Sequence, residues 1–468
     1  MRSPIAAGLC LLAACASVSD RVDEDRDALD ELLAPELAEG LAAGEAEDLD
    51  ARAAVAELLA GGVDEAVAVK VAVLANGRVR ARLAELGVAS AEVVQAGLVR
   101  NPVFTVQTRL FDGGTQVEAS LMQSFVDLFL LSSRKRTARA QAELAGAEIA
   151  RELTALGYDV RRACVAVRAA DALVELERAH LTAAGSGQEL MTGLFEAGNV
   201  TAASAAHEDL ARARAHAELA RALDRAREAR ESLAALMGLA GDEPAWHVAG
   251  ALELPEVGAW PKDVEAAALE ASFELRAGRA HVRALAERAD VAGVEAALAT
   301  ASLGLSFERE FESGEWGIGP ALSISVPIFD TGAARGAASA FEIAAELERQ
   351  HQLAVEVRVA ARRLRERERS LTAQLAHVAE VERPAAEAYL GAVLQDYNSM
   401  QIAAFDVLRA RAEELESERA WVEALARAWT ARLELRELLD GVLREPPGRE
   451  SRLADLSARR GRSMPGGR

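Results

Sequence analysis

The stretch Gly319-Pro320-Ala321-Leu322-Ser323-Ile324-Ser325-Val326-Pro327-Ile328-Phe329-Asp330-Thr331-Gly332 decides the fold. Leu322, Ile324, Val326 and Ile328 alternate with Ser323, Ser325 and Pro327. That period of two predicts a strand with one apolar and one polar face. The strand runs into a turn, and a very long helical segment follows it. Upstream, Leu303, Leu305 and Phe307 alternate with Gly304, Ser306 and Glu308, and a turn is expected near Glu312-Ser313-Gly314-Glu315.

The same unit occurs once before. Phe104, Val106, Thr108 and Leu110 alternate with Thr105, Gln107 and Arg109; Asp112-Gly113-Gly114-Thr115 is a turn; Val117, Ala119 and Leu121 alternate with Glu118 and Ser120. Ser120 and Leu322 set the offset between the copies at 202 residues. A long helix is predicted after each strand pair. Leu153, Val160, Val167, Val174 and Leu181 fall seven apart in the first, with Leu156, Ala163 and Ala170 between; Val357, Leu364, Leu371 and Val378 do the same in the second. Sustained heptads predict coiled-coil packing. Both copies then break, at Phe195-Glu196-Ala197-Gly198-Asn199 and at Tyr397-Asn398-Ser399-Met400-Gln401. A return helix follows each, with Leu219, Leu223, Ala226, Leu233 and Leu236 in one and Leu408, Leu415, Val422 and Trp429 in the other. Internal repetition of this kind fixes the organisation: residues 51–240 are one repeat, 262–443 the second, and 241–261, with Pro244, Pro255 and Pro261, the linker. The fold class is mainly α with a small β part.

The pattern Gly-x-x-Leu-Ser-x-x-x-Pro-Ile-Phe-Asp-x-Gly at 319–332 resembles the strand-to-helix signature of the TolC family of outer-membrane efflux proteins. The resemblance covers most of residues 60–443 and recurs in both halves. It implies a trimer in which four strands per chain build a twelve-stranded β-barrel, continued by a coiled-coil helical barrel. It also implies a passive conduit fed by an inner-membrane pump through a periplasmic adaptor. The family's return tip reads aromatic-x-x-Gly-x-x-Ser/Thr, followed by Asp-Val-Leu. The first copy matches at Phe195, Gly198 and Thr201 but lacks the Asp; the second matches at Tyr397 and at Asp406-Val407-Leu408 but has Met400 in place of Gly. By resemblance the tips close the tunnel and dock the adaptor, through Gly198, Asn199, Val200 and Thr201 in one copy and Met400, Gln401 and Ile402 in the other. Asp406 is the gate candidate, since three copies around an axis form an acidic ring; the competing reading is a solvated helix charge. Phe125 and Leu130 stand where the second copy has Pro327 and Gly332. Arg134-Lys135-Arg136 resembles the Gly-Lys-Arg-x-x-Arg run of the heavy-metal efflux branch with its Gly missing; the competing reading is a solvated charge run.

Composition agrees with a helix-rich chain. Of 468 residues only 4% are aromatic, as in long helices and coiled coils. The net charge of −21 argues against nucleic-acid binding. Residues 1–15 read as a secretory signal: Arg2, an apolar run from Ile5 to Ala14, then Cys15. Leu12-Ala13-Ala14-Cys15 resembles a lipobox, which makes Cys15 the lipidation candidate; the alternative is a plain signal with a chance Cys. Residues 16–50 are expected to form a flexible acidic tether and 444–468 a disordered tail. Of the three Cys, Cys164 is read as a buried small hydrophobe. No run of 18 apolar residues follows the signal, so any membrane crossing must be a closed β-barrel. No catalytic constellation, phosphate loop or cofactor motif is visible. The seven His, with His207, His216 and His281 on helices, have no partners at metal-ligand spacing. Two alternatives to the efflux channel stand: a periplasmic coiled-coil scaffold lipoprotein, which has no need of strands, and the outer-membrane component of a type I protein secretion system.

Overall fold

The computed structural model describes residues 18–43, 48–111, 114–241, 245–255, 260–298, 301–309, 315–324 and 333–444. Its elements run α1 (18–30), α2 (Pro35–Ala43), α3 (Asp48–Ala60), α4 (Glu65–Ala75), α5 (Gly77–Ala96), β1 (Val103–Phe111), β2 (Gly114–Ser124), α6 (Val126–Glu196) and α7 (Ala202–Met237). The second half runs α8 (Val264–Ala271), α9 (Phe273–Leu298), β3 (Ser302–Arg309), β4 (Trp316–Ser323), α10 (Ala333–His377), a π turn (Val378–Glu382), α11 (Arg383–Asn398) and α12 (Ala404–Leu439). The expected order of helix, strand pair, long helix, tip and return helix is present twice. The chain forms two compact units, one of Met1–Leu32, Ala81–Ala150 and Phe273–Val355, the other of Leu33–Arg80, Arg151–Ser272 and Glu356–Arg468.

The first unit holds a four-stranded antiparallel sheet in the order β1-β2-β3-β4. Its register stacks like on like. Phe104, Leu121, Leu305 and Pro320 lie opposite one another, as do Val106, Ala119, Phe307 and Ile318. The intervening rows are Thr105, Ser120, Ser306 and Gly319, then Gln107, Glu118, Glu308 and Gly317. Opposed residues share a face, so one face is apolar and the other polar. A Cβ at Gly304 would collide with the Leu121 carbonyl, so the strands approach there without a side chain between them. The helices of this unit pack through small residues: Ala89, Val93, Ala138, Ala142 and Ala145 in one cluster, Leu144, Ala147, Ala277 and Ala280 in another.

One strand differs from expectation. The alternation predicts Leu322–Ile328, whereas β4 is Trp316–Ser323. The ladder explains this: Ser302, the first residue of β3, pairs with Ser323, so β3 has no residue left to pair beyond it. Ile324 lies past the strand, and residues 325–332 of the signature lie outside the described residues, as do the centres of both expected turns.

In the second unit the heptad reading of the first long helix holds, with Leu153, Val160, Val167 and Val174 buried. Cys164 is buried too. Removal from water, with a lesser contribution from Glu65, pushes its thiol up to about 12, the mark of an inert structural cysteine. The second long helix is interrupted at Val378, the fourth member of its heptad series, by the π turn. Pro384 follows one residue into α11. Proline lacks an N–H and its ring crowds the carbonyl four residues back, which a widened turn relieves. Arg383 secures the site: its guanidinium lies 4.6 Å from the Trp421 ring centroid and 2.7 Å from Glu418 Oε1.

The flexible tether expected over residues 16–50 is corrected over 18–43. Residues 18–30 and 35–43 are helical with a turn between them, and Leu29, Leu33, Leu37 and Leu41 are buried. On α2, Leu37 and Leu41 lie one turn apart on one face. The acidic residues beside these leucines find partners: Asp25 accepts from Ser90 Oγ at 2.7 Å, Glu39 lies 2.8 Å from Lys70, and Glu36 pairs with Arg161. The tail boundary also moves. Arg444 lies 2.8 Å from Glu437 and 2.7 Å from Asp159, and residues 445–468 lie outside the described set. The linker is pinned. Val63 donates to His247 O at 3.0 Å, Trp429 Nε1 to Glu253 O at 2.7 Å, and Trp260 sits 5.8 and 5.2 Å from the Arg365 and Arg432 guanidiniums.

Candidate functional site

The two hairpin tips repeat each other residue for residue at the offset of 202. Gly198 N–H donates to Phe195 O at 2.9 Å and Asn199 N–H to Leu194 O at 2.8 Å; Met400 N–H donates to Tyr397 O and Gln401 N–H to Asp396 O, both at 2.9 Å. Each pair of bonds closes the end of a helix around one left-handed residue. That residue is Gly198, φ 75°, in one copy and Met400, φ 58°, in the other. Met400 is the one non-glycine residue with positive φ among the described residues, and it is 94% exposed. The departure from Gly therefore leaves the turn intact at the cost of a strained backbone.

The helix starts beyond the tips are capped by opposite halves of one device. Thr201 Oγ1 accepts from Ser204 N–H at 3.2 Å at the head of α7. The matching residue before α12 is Ala403, which has no acceptor to offer. Asp406 compensates by reaching back, its Oδ2 accepting from Ala403 N–H at 3.2 Å. A capping box normally uses both bonds together; here each tip keeps one. This explains why the first copy has no Asp at the matching position. Asn199, Gln401 and Thr201 are exposed, Val200 and Ile402 half-buried, and Asp406 exposed.

Other expected residues are placed as follows. Arg136 pairs with Glu287 at 2.8 Å, so at least part of the basic run is structural. No group of three or more His, Cys, Asp or Glu is placed to hold a metal among the described residues, and none of their helices is long and apolar enough to cross a membrane. Cys15 lies outside the described residues. Sequence reasoning missed a set of ion pairs and one hydrogen bond, each with a buried partner, that tie the first repeat to the second. Glu437, 1% exposed, takes Arg162 at 2.7 Å; Tyr158 donates to Asp440; Arg419 pairs with buried Glu177. Burial and the Asp440 charge push the Tyr158 hydroxyl upward. Single-sequence patterns give no hint of which Glu meets which Arg across helices.

The sheet is the other candidate element. Phe104, Val106, Leu110, Leu303, Leu305, Ile318 and Leu322 are all exposed on its apolar face. Exposed apolar area of this extent marks an interaction surface. β1 and β4 are its edges, with no further strand beyond them among the described residues. No family model and no curated sequence matches the chain, but solved structures do. VceC, an outer membrane protein of Vibrio cholerae, matches at TM-score 0.62 and 18% identity over 81% of this chain and 96% of that one. The fold is that of the TolC-like outer-membrane channels. The MtrE outer membrane channel of Neisseria gonorrhoeae matches this chain at TM-score 0.64 and 18% identity, covering 80% and 88% of the two chains. The CmeC channel of Campylobacter jejuni matches at 0.57 and 12%, covering 87% and 89%.

Proposed function

We propose that this protein is the outer-membrane conduit of an efflux system, a passive channel without catalytic chemistry. The observation that carries the reading is the sheet: one largely apolar exposed face, one polar face, and two edges with no partner strand among the described residues. Open edges in lipid leave backbone groups unsatisfied, so four strands must join those of other copies. Three copies give twelve strands around a wet lumen, with the apolar face toward lipid. Cys15 carries the lipid anchor, and the tips meet a periplasmic adaptor that links the channel to an inner-membrane pump. Asp406 adds a charge at the tunnel mouth besides its capping bond.

Planar-bilayer recording tests this. The purified protein should produce discrete conductance steps. Asp406→Asn keeps an acceptor for Ala403 N–H and removes the charge, so it should weaken block by multivalent cations. A protein that inserts but never conducts would be a scaffold. A conducting Asp406→Asn channel with unchanged block would leave Asp406 as a cap alone.

A further inference from the structure

Within the second unit a cavity of about 440 Å³ opens between α6, α10 and α12. Its polar lining is unusual for a chain of net charge −21. Arg162, Arg367 and Arg427 come to it from three different helices, Ser370 and Thr430 add hydroxyls, and no carboxylate lines it among the described residues. The rest of the lining is aliphatic, including Val165 and Leu371. The three guanidiniums differ in how far they are satisfied. Arg162 is held by Glu437 and Asp159, each at 2.7 Å, and Arg367 by Glu434 at 2.9 Å. These pairs fix two of the forks and leave further N–H groups on each, since a guanidinium carries five donors. Arg427, exposed at the cavity mouth, makes a bond from Nε to its own helix, to Glu423 O at 3.2 Å, and no carboxylate pairs with it among the described residues. One uncompensated cation and two anchored forks over an apolar floor suit an anionic head on an apolar body. A drug-sized ligand fits a cavity of this volume.

We infer that this cavity binds organic anions that join a carboxylate to an aliphatic chain, with Arg427 supplying the uncompensated charge. The site stands independently of the conduit reading, because it uses only the helices of one chain. Arg427 is also the clean position to change. Replacing Arg162 would take one of two cations from the buried Glu437, leaving only Arg444, whereas removing Arg427 breaks no ion pair among the described residues.

Isothermal titration of the full-length protein in uncharged detergent tests the site, with octanoate, octyltrimethylammonium and inorganic phosphate as probes. Octanoate should bind, phosphate about tenfold or more weakly, and the cation not at all. Arg427→Ala should weaken octanoate by about tenfold, the scale of one charge-assisted hydrogen bond. Arg427→Glu should abolish binding, and Arg427→Lys should retain part of it, with helix content unchanged in all three. Octanoate that fails to bind the parent, or binds Arg427→Glu equally well, overturns the site. Phosphate binding as tightly as octanoate overturns the role of the apolar floor.

Discussion

Met400 concentrates what single residues decide here. Its φ of 58° is where a side chain crowds the following carbonyl, a conformation that costs roughly 1–2 kcal/mol outside glycine. Its side chain is almost wholly in solvent, so no packing in the isolated chain offsets that cost. Replacing it by glycine should therefore tighten the tip by about 1 kcal/mol, some of the gain being offset by glycine's freedom when unfolded. The Gln401 amide, bonded to Asp396 O at 2.9 Å, should then exchange its hydrogen about fivefold more slowly, the factor equivalent to 1 kcal/mol. Faster exchange would mean that the methionine holds the turn rather than strains it. The tip's place in the chain was legible from the repeat, because Phe195 and Tyr397 mark it at equal spacing. The role of Asp406 was legible only in part. Its position at the head of a helix is a sequence property, but its bond to Ala403 N–H follows from Ala403 being unable to cap.

Among the elements, helices were read well and their interruptions poorly. Heptad spacing reports burial directly, so Leu153 to Val174 fell into place. The π turn at Val378–Glu382 was missed, although Pro384 was the available signal: its crowding acts four residues back, inside an otherwise periodic stripe. β4 was displaced because alternation continues past Ser323 while the ladder with β3 does not. Residues 18–43 were misread because acidic composition masked two short helices whose leucines, Leu29 in one and Leu37 and Leu41 in the other, are buried. The sheet's two faces yield a prediction that separates membrane from water. Val106 lies in the row of Ala119, Phe307 and Ile318, and Gln107 in the row of Glu118 and Glu308. An arginine on a lipid-facing strand position costs about 2–4 kcal/mol at mid-membrane. Val106→Arg should thus reduce the amount of folded protein extracted from outer membranes, while Gln107→Arg, facing the lumen, leaves it near the parent level. Equal yields would show that the apolar face does not contact lipid.

For the whole molecule the question is how many chains complete it. Among the described residues the edges β1 and β4 are unpaired, and α10 exposes Phe341, Leu347, Val355 and Val359. In α6, by contrast, Leu153, Val160, Val167 and Val174 are all buried. The two repeats are therefore alike in element order but unlike in how far one chain covers them, which sequence periodicity cannot distinguish. Both uncovered features need a neighbour: an edge needs a strand, and an apolar helix stripe needs another helix. A ring of identical chains satisfies both at once, because each copy offers β1 to one neighbour and β4 to the other, a head-to-tail contact that closes only at a definite number. Native mass measurement in detergent should find three chains, each lacking residues 1–14 and carrying the added mass of acyl groups that Cys15→Ala abolishes. A monomer that retains its β-sheet signal would mean that the edges are closed within the chain and that the shared barrel is wrong. A trimer of unacylated mass would keep the barrel and remove the anchor, since closure depends on strand edges and helix faces rather than on lipid.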